Sequence, residues 1–154
     1  MAHVVTDIDT TASSERVIDA LTDFSPRRFA LWPNVDRKYF EVGPLGNHSA
    51  EVTEGSPLLG GIWERGRYDW SSPGTVRIEV QDSNAFRPGS FWIYRVTPRP
   101  DGGSHVHMEF DRRPRNTFKG LLAAAVLSLF GRRIFTKSLR QTLRQIEMSD
   151  EGAH

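Results

Sequence analysis

The sequence predicts an α+β fold, with one antiparallel sheet carrying its helices on a single face. Three observations predict it. Six short segments of strand character follow one another between residues 38 and 111, divided by the turn chemistry of GPLGN, GSPLLGG, SSPG, FRPG and RPDGG. Helical spacing falls outside that run, in two short segments before it and one long segment after it. The length, 154 residues, is that of one ordinary domain, so sheet and helices share a core.

Taken in order, residues 3–10 (HVVTDIDT) read as a strand with Val4, Thr6 and Ile8 on one face. Residues 13–24 read as a short helix: Ser13 is the N-cap, Glu15 sits in the first turn, and Val17, Leu21 and Phe24 have helical spacing. A second short helix spans 25–33, with Ser25 as cap, Pro26 at the first helical position and Pro33 as the stop. The strands of the meander are 38–43, 48–55, 62–70, 75–83, 90–98 and 104–111. A loop, DRRPRN, leads into a helix over 118–147. One domain over 1–148 is expected, with a disordered tail over 149–154.

Composition narrows the chemistry. With no cysteine there can be no disulfide, thiolate metal site or cysteine nucleophile. The first residues have neither a cationic start nor a long apolar run, and the longest apolar stretch, LLAAAVLSLF, is ten residues, too short to span a bilayer. A cytoplasmic protein is expected. The net charge of +1 hides an asymmetry: residues 112–146 hold nine Lys and Arg and no Asp or Glu, leaving eleven basic and nineteen acidic residues elsewhere. A basic helix against an acidic scaffold accounts for this, and so does a basic face turned to an anionic partner.

The segments VIDALTDFSPRRFALWPN, WERGRYDW and SFWIYRVTPRPDGGSHVHMEFDRRPR resemble the SRPBCC superfamily (START-like, birch-pollen-allergen-like), in its branch labelled polyketide cyclase/dehydrase. The resemblance covers nearly the whole chain. It implies a helix-grip fold: a curved seven-stranded antiparallel sheet around the long C-terminal helix, two short helices after strand 1, and an apolar cavity between sheet and helix. The superfamily includes lipid and quinone binders, aromatase/cyclases and regulatory modules.

Strand alternation maps the inner face. Val76, Ile78 and Val80 point in, as do Trp92, Tyr94 and Val96, and Val106, Met108 and Phe110. Ala50 and Val52 point in and bring His48 with them, at a strand start where rim exposure is expected. Tyr68 and Trp70 point in, and the same parity carries Glu64. The expected ligand-lining set is therefore Tyr68, Trp70, Ile78, Trp92, Tyr94, Met108 and Phe110, with Leu122 and Val126 from the helix. Glu64 is the candidate catalytic residue, since a carboxylate in an apolar cavity has a raised pKa and can enolise a poly-ketone or dehydrate an aldol product. Gly66 could mark a bulge that turns Glu64 outward, or Glu64 could pair with an arginine. His105 and His107 share a face two residues apart, but a metal needs a third ligand, and no metal or cofactor is expected.

Along the long helix, Phe118, Leu122, Ala125, Val126 and Leu129 form one apolar side, widened by Leu121, Leu127 and Phe130. Past Gly131 the apolar side shifts to Phe135, Leu139, Leu143 and Ile146, which predicts a bend there. Arg133, Lys137, Arg140 and Arg144 make a cationic row beside it, either a solvated face or a dock for an anionic membrane surface. No nucleic-acid partner is expected, because no aromatic platform interleaves with the charges. The oligomeric state is open. The function expected is binding of a hydrophobic small molecule (lipid, quinone or polyketide-like). The alternatives are a cyclase/dehydratase-type enzyme and a regulatory module whose cavity its own side chains fill.

Overall fold

The computed structural model describes residues 2–151. In chain order it contains β1 (Ala2–Thr10), α1 (Ser14–Leu21), α2 (Arg28–Leu31), β2 (Glu41–Leu45), β3 (Ser49–Ser56), β4 (Ile62–Asp69), β5 (Thr75–Ser83), β6 (Phe91–Pro98), β7 (Ser104–Arg112) and α3 (Phe118–Glu151). The seven strands form one antiparallel sheet in the order β1-β7-β6-β5-β4-β3-β2. Short turns make β2 to β7 a meander, and β1 is added along the free edge of β7, from Ala2↔Arg112 to Thr10↔Ser104. This is the helix-grip arrangement. Of the tail, residues 149–151 continue α3, and the rest lies outside the described residues.

Local chemistry sets most element boundaries. Ser13 caps α1 as expected, its Oγ accepting from the Arg16 amide at 3.3 Å. The second helix shrinks to one turn, since Ser25 and Pro26 are taken up by the turn that leads into it. β2 lies later than expected, at Glu41–Leu45, and its residues are exposed throughout. It is a short edge strand broken by Pro44, which offers little template for pairing with another chain.

The sheet contains a bulge, but not one that turns Glu64 out. Arg65 faces Asp82 and Gly66 faces Val80, so the extra residue is Gln81, on β5. Parity along β4 is preserved, and the parity change falls on β5, where Ser83 becomes buried. Gly66 has another reason to be glycine: a Cβ there would lie 2.8 Å from Ile78 Cγ2.

The helix α3 rests on β1. Thr6 Oγ1 and Thr136 Oγ1 lie 2.8 Å apart, and Thr10 Oγ1 donates to Glu147 Oε1 at 2.7 Å. The helical run is continuous through Gly131, where a Cβ would come within 3.1 Å of Val4 Cγ2, so close approach to β1 accounts for this glycine. The first half of α3 corrects the expected inner side. Gly120, Ala123, Ala124 and Leu127 are buried, whereas Phe118, Leu121, Leu122, Ala125 and Leu129 are exposed. The helix enters within backbone distance of Ala85 (a Cβ at Gly120 would lie 2.9 Å from its carbonyl), so small residues line the inside up to Ala124, and Leu127 is the first larger side chain buried there. Side-chain size, not hydrophobicity, chose the face. Past Gly131 the expected stripe holds: Leu139, Leu143 and Ile146 are buried and Phe135 is half-buried.

On the outer face of β1 and β7 lies an acid–histidine ladder. His105 Nδ1 is 2.7 Å from Asp9 and its Nε2 2.9 Å from Asp7; His107 Nδ1 is 2.8 Å from the same Asp7 oxygen. Hydrogen bonds to Asp9 and then Asp7 raise His105 above its ordinary value of 6.5. Hydrogen bonds to the histidines lower Asp7 and Asp9 below 3.8. The raised histidine stabilises the fold below pH 6.5 and loses that contribution as pH rises through its folded pKa. The lowered aspartates stabilise it above pH 3.8 and lose theirs as pH falls. The β1–β7 edge should therefore be firmest between those limits. An NMR titration should place His105 above 6.5, and Asp9→Asn should bring it down; a His105 pKa at or below 6.5 would remove the ladder's role.

Candidate functional site

The inner face of the sheet is apolar at its centre and carries two ion pairs. Trp92, Phe110 and Phe135 form a tight ring cluster with centroids 4.6–5.0 Å apart, occupying the space between sheet and helix at that level. Tyr94 lies beside it, stacked parallel to Trp92 at 6.5 Å. Of the expected lining residues, Tyr68, Tyr94, Met108 and Phe110 are buried. Trp70, Ile78 and Trp92 are half-buried against the same core. Val126 is half-buried, while Leu122 is exposed on the outer side of α3 and His48 is exposed on the rim.

Glu64 points in and pairs with an arginine: Arg112 Nη1 donates to Glu64 Oε2 at 2.6 Å. Arg112 is the last residue of β7 and is 1% exposed. Its guanidinium lies over Trp92 at 4.3 Å and near Phe86 at 5.2 Å. Among the described residues its buried Nη2 has no hydrogen-bond partner. Burial pulls this guanidinium below its ordinary pKa, and Glu64 opposes that pull. Burial likewise raises Glu64, against the opposing pull of Arg112.

A second pair stands beside the first. Glu54 is the cross-strand partner of Glu64, so two carboxylates face each other on one sheet face, and Glu54 pushes Glu64 further up. Glu54 is held by Arg28 of α2, whose Nε and Nη2 donate to its two oxygens at 3.1 and 2.9 Å. Arg28 also donates to the Leu21 carbonyl at 2.9 Å and to the Tyr68 hydroxyl at 2.8 Å, and Tyr68 donates to Glu54. Its guanidinium lies over the rings of Phe24, Trp32 and Tyr68, 5.0–5.5 Å from their centroids. Burial lowers the Arg28 pKa, but Tyr68 and Glu54 override it and the net direction is up. Burial raises both tyrosines, so their hydroxyls stay neutral donors at physiological pH.

The interior thus brings together Arg28–Glu54 and Glu64–Arg112, flanked by Tyr68 and Tyr94, with balanced charge. Such a centre can bind a polar end of an otherwise apolar molecule, and Glu64 can hold a proton that an exposed glutamate would lose. Sequence reasoning missed Glu54, Arg28 and Arg112. Two of them were within reach: Glu54 is the next inward step after Ala50 and Val52, and Arg112 the next after Met108 and Phe110. Both are charged residues in strand ends, which read as solvent-facing. Arg28 had no such signal, because a one-turn helix has no usable periodicity.

The family model described as polyketide cyclase / dehydrase and lipid transport matches residues 1–147. No curated protein matches the sequence. Among solved structures, the chain is similar to the Zhui aromatase/cyclase from Streptomyces sp. R1128, at TM-score 0.79 and 14% identity, covering 94% of this chain and 93% of that one. It is similar to a START superfamily protein from Mycobacterium smegmatis (TM-score 0.69, 12% identity, 100% of both chains). A STAR-related lipid transfer protein from Xanthomonas axonopodis matches at TM-score 0.68 and 16% identity, over 92% of this chain and 85% of that one. At these identities the structures share a fold.

Proposed function

The chain belongs to the polyketide cyclase / dehydrase and lipid transport family, and on that premise we propose that it binds a hydrophobic small molecule between sheet and α3. The ligand class is lipid, quinone or polyketide-like, and the Arg112–Glu64 pair receives its polar end. One observation carries this: Arg112 holds a buried Nη2 donor with no partner among the described residues, surrounded by aromatic rings. Buried donors are nearly always satisfied, so an oxygen-bearing ligand gives this one a purpose. The test is native mass spectrometry of protein purified gently from its own cells, beside binding of an apolar fluorescent probe to wild type and Arg112→Met. A bound mass, with weaker retention by Arg112→Met, supports the proposal. No bound mass and no probe binding would leave a module whose interior is filled by Trp92, Phe110 and Phe135.

A second reading rests on Glu64 itself. Raised by burial and faced by Glu54, it is poised as a proton donor for cyclisation or dehydration of a bound poly-ketone. Glu64→Gln should then abolish turnover of a poly-ketone substrate while changing its affinity only a few-fold. Equal turnover by both proteins would end the enzymatic reading.

A further inference from the structure

We propose that the outward side of α3 docks the protein on an anionic phospholipid surface, its first half entering the interface and its second half lying on the headgroups. The first half turns its bulk away from the core: Phe118 is 84% exposed and Leu129 75%, with Leu121 and Phe130 more than half exposed. Exposed apolar side chains in a contiguous row mark an interaction surface. The turn Leu58–Gly60 adds to it. Leu58 and Leu59 are both exposed, and Lys119 ties this turn to the start of α3 by donating to the Gly61 carbonyl at 3.1 Å.

The second half changes character, and its exposed row is turned partly round from that of the first. At about 100° per residue, Phe118, Leu122 and Leu129 fall within roughly 40° of one another, and Arg133, Lys137, Arg140 and Arg144 centre roughly 50° further round. The buried Leu139, Leu143 and Ile146 centre roughly 120° round from the cationic row. The cations line a groove of about 520 Å³ with Arg132, and among the described residues none of these five makes an ion pair within the chain. The nearest acids border a second groove beside Arg140 and Arg144: Asp7 and Asp9, engaged by the histidine ladder, and Glu147, which accepts from Thr10. From residue 112 to 146 the chain supplies no carboxylate of its own.

The apolar row from Phe118 to Leu129 and the cationic row from Arg133 to Arg144 each span about 18 Å at 1.5 Å per residue. A bilayer surface satisfies both: acyl-chain boundary for the apolar half, phosphates for the cationic half. Nucleic acid would use only the second half. A second copy of this chain would bring the same unpaired cations to the contact.

The test is co-sedimentation with phosphatidylcholine vesicles with and without phosphatidylglycerol. Expected are binding only to the anionic vesicles, weakening with salt, and a loss of about 100-fold or more when Arg133, Lys137, Arg140 and Arg144 become Gln. Phe118→Ser with Leu129→Ser should lower affinity about tenfold while leaving salt dependence in place. All these residues are exposed, and circular dichroism checks that the variants fold. No binding at low salt, or binding indifferent to both variants, overturns the proposal. Self-association that Leu129→Ser abolishes would overturn it in favour of a second copy. Because no residue of the Arg112–Glu64 centre is altered, failure here is distinguishable from failure of the ligand proposal.

Discussion

Arg28→Ala is expected to lower folding stability by about 3–5 kcal/mol, the cost of removing one partner of a buried ion pair. For a chain of this length that is a fall in Tm of roughly 10 °C. The guanidinium is 4% exposed and makes five hydrogen bonds, two of them to Glu54. Without it, Glu54 keeps a charge in a place that water reaches poorly, and the Leu21 carbonyl loses its donor. Tyr68→Phe removes one hydroxyl and should cost only about 1 kcal/mol. Arg28→Met with Glu54→Leu removes both charges and should recover most of the loss, because the desolvation cost leaves with the pair. Chemical denaturation of the four proteins settles it. A loss under about 1 kcal/mol in Arg28→Ala would mean that the pair is solvated in solution.

Phe110→Ala is the other large effect, at about 3–5 kcal/mol. Phe110 is fully buried, and its ring is the shared neighbour of Trp92 and Phe135, each 4.6 Å away. Deleting it leaves a void that the sheet on one side and α3 on the other cannot collapse to fill. Stability should fall while an apolar fluorescent probe binds more tightly than to wild type, since the new space lies where a ligand would sit. A stability loss with unchanged probe binding would place the ligand region away from this cluster. The paired measurements separate a filled interior from an open one.

The order of elements was legible because turn chemistry and strand alternation are local: seven strands, two short helices and a long one appear in the expected order, with β2 displaced and the second helix shortened. Glu64 was legible for the same reason, and its inward aim survives because the bulge sits on β5. The outer face of α3 was not. Its first half is apolar nearly all round, so periodicity could not choose a side; the choice fell to Gly120, Ala123 and Ala124, through the close approach of Ala85. The pairing of the buried charges was not legible, even where strand parity put Glu54 and Arg112 within reach, because burying a charge depends on a partner distant in sequence: Glu54 lies 26 residues from Arg28, and Glu64 lies 48 from Arg112.

The pairing of β1 with β7 has a kinetic consequence. Thr10 meets Ser104 and Ala2 meets Arg112, so the first strand must wait for about a hundred residues of nascent chain before its partner exists. The meander from β2 to β7 can zip through adjacent hairpins as it emerges from the ribosome, each closure spanning a short loop. Joining β1 then pays the entropy of a loop closure that grows with the logarithm of its length. Contacts this remote in sequence slow folding. Until β1 docks, β7 keeps a bare hydrogen-bonding edge, the place where a half-made molecule would first stick to another.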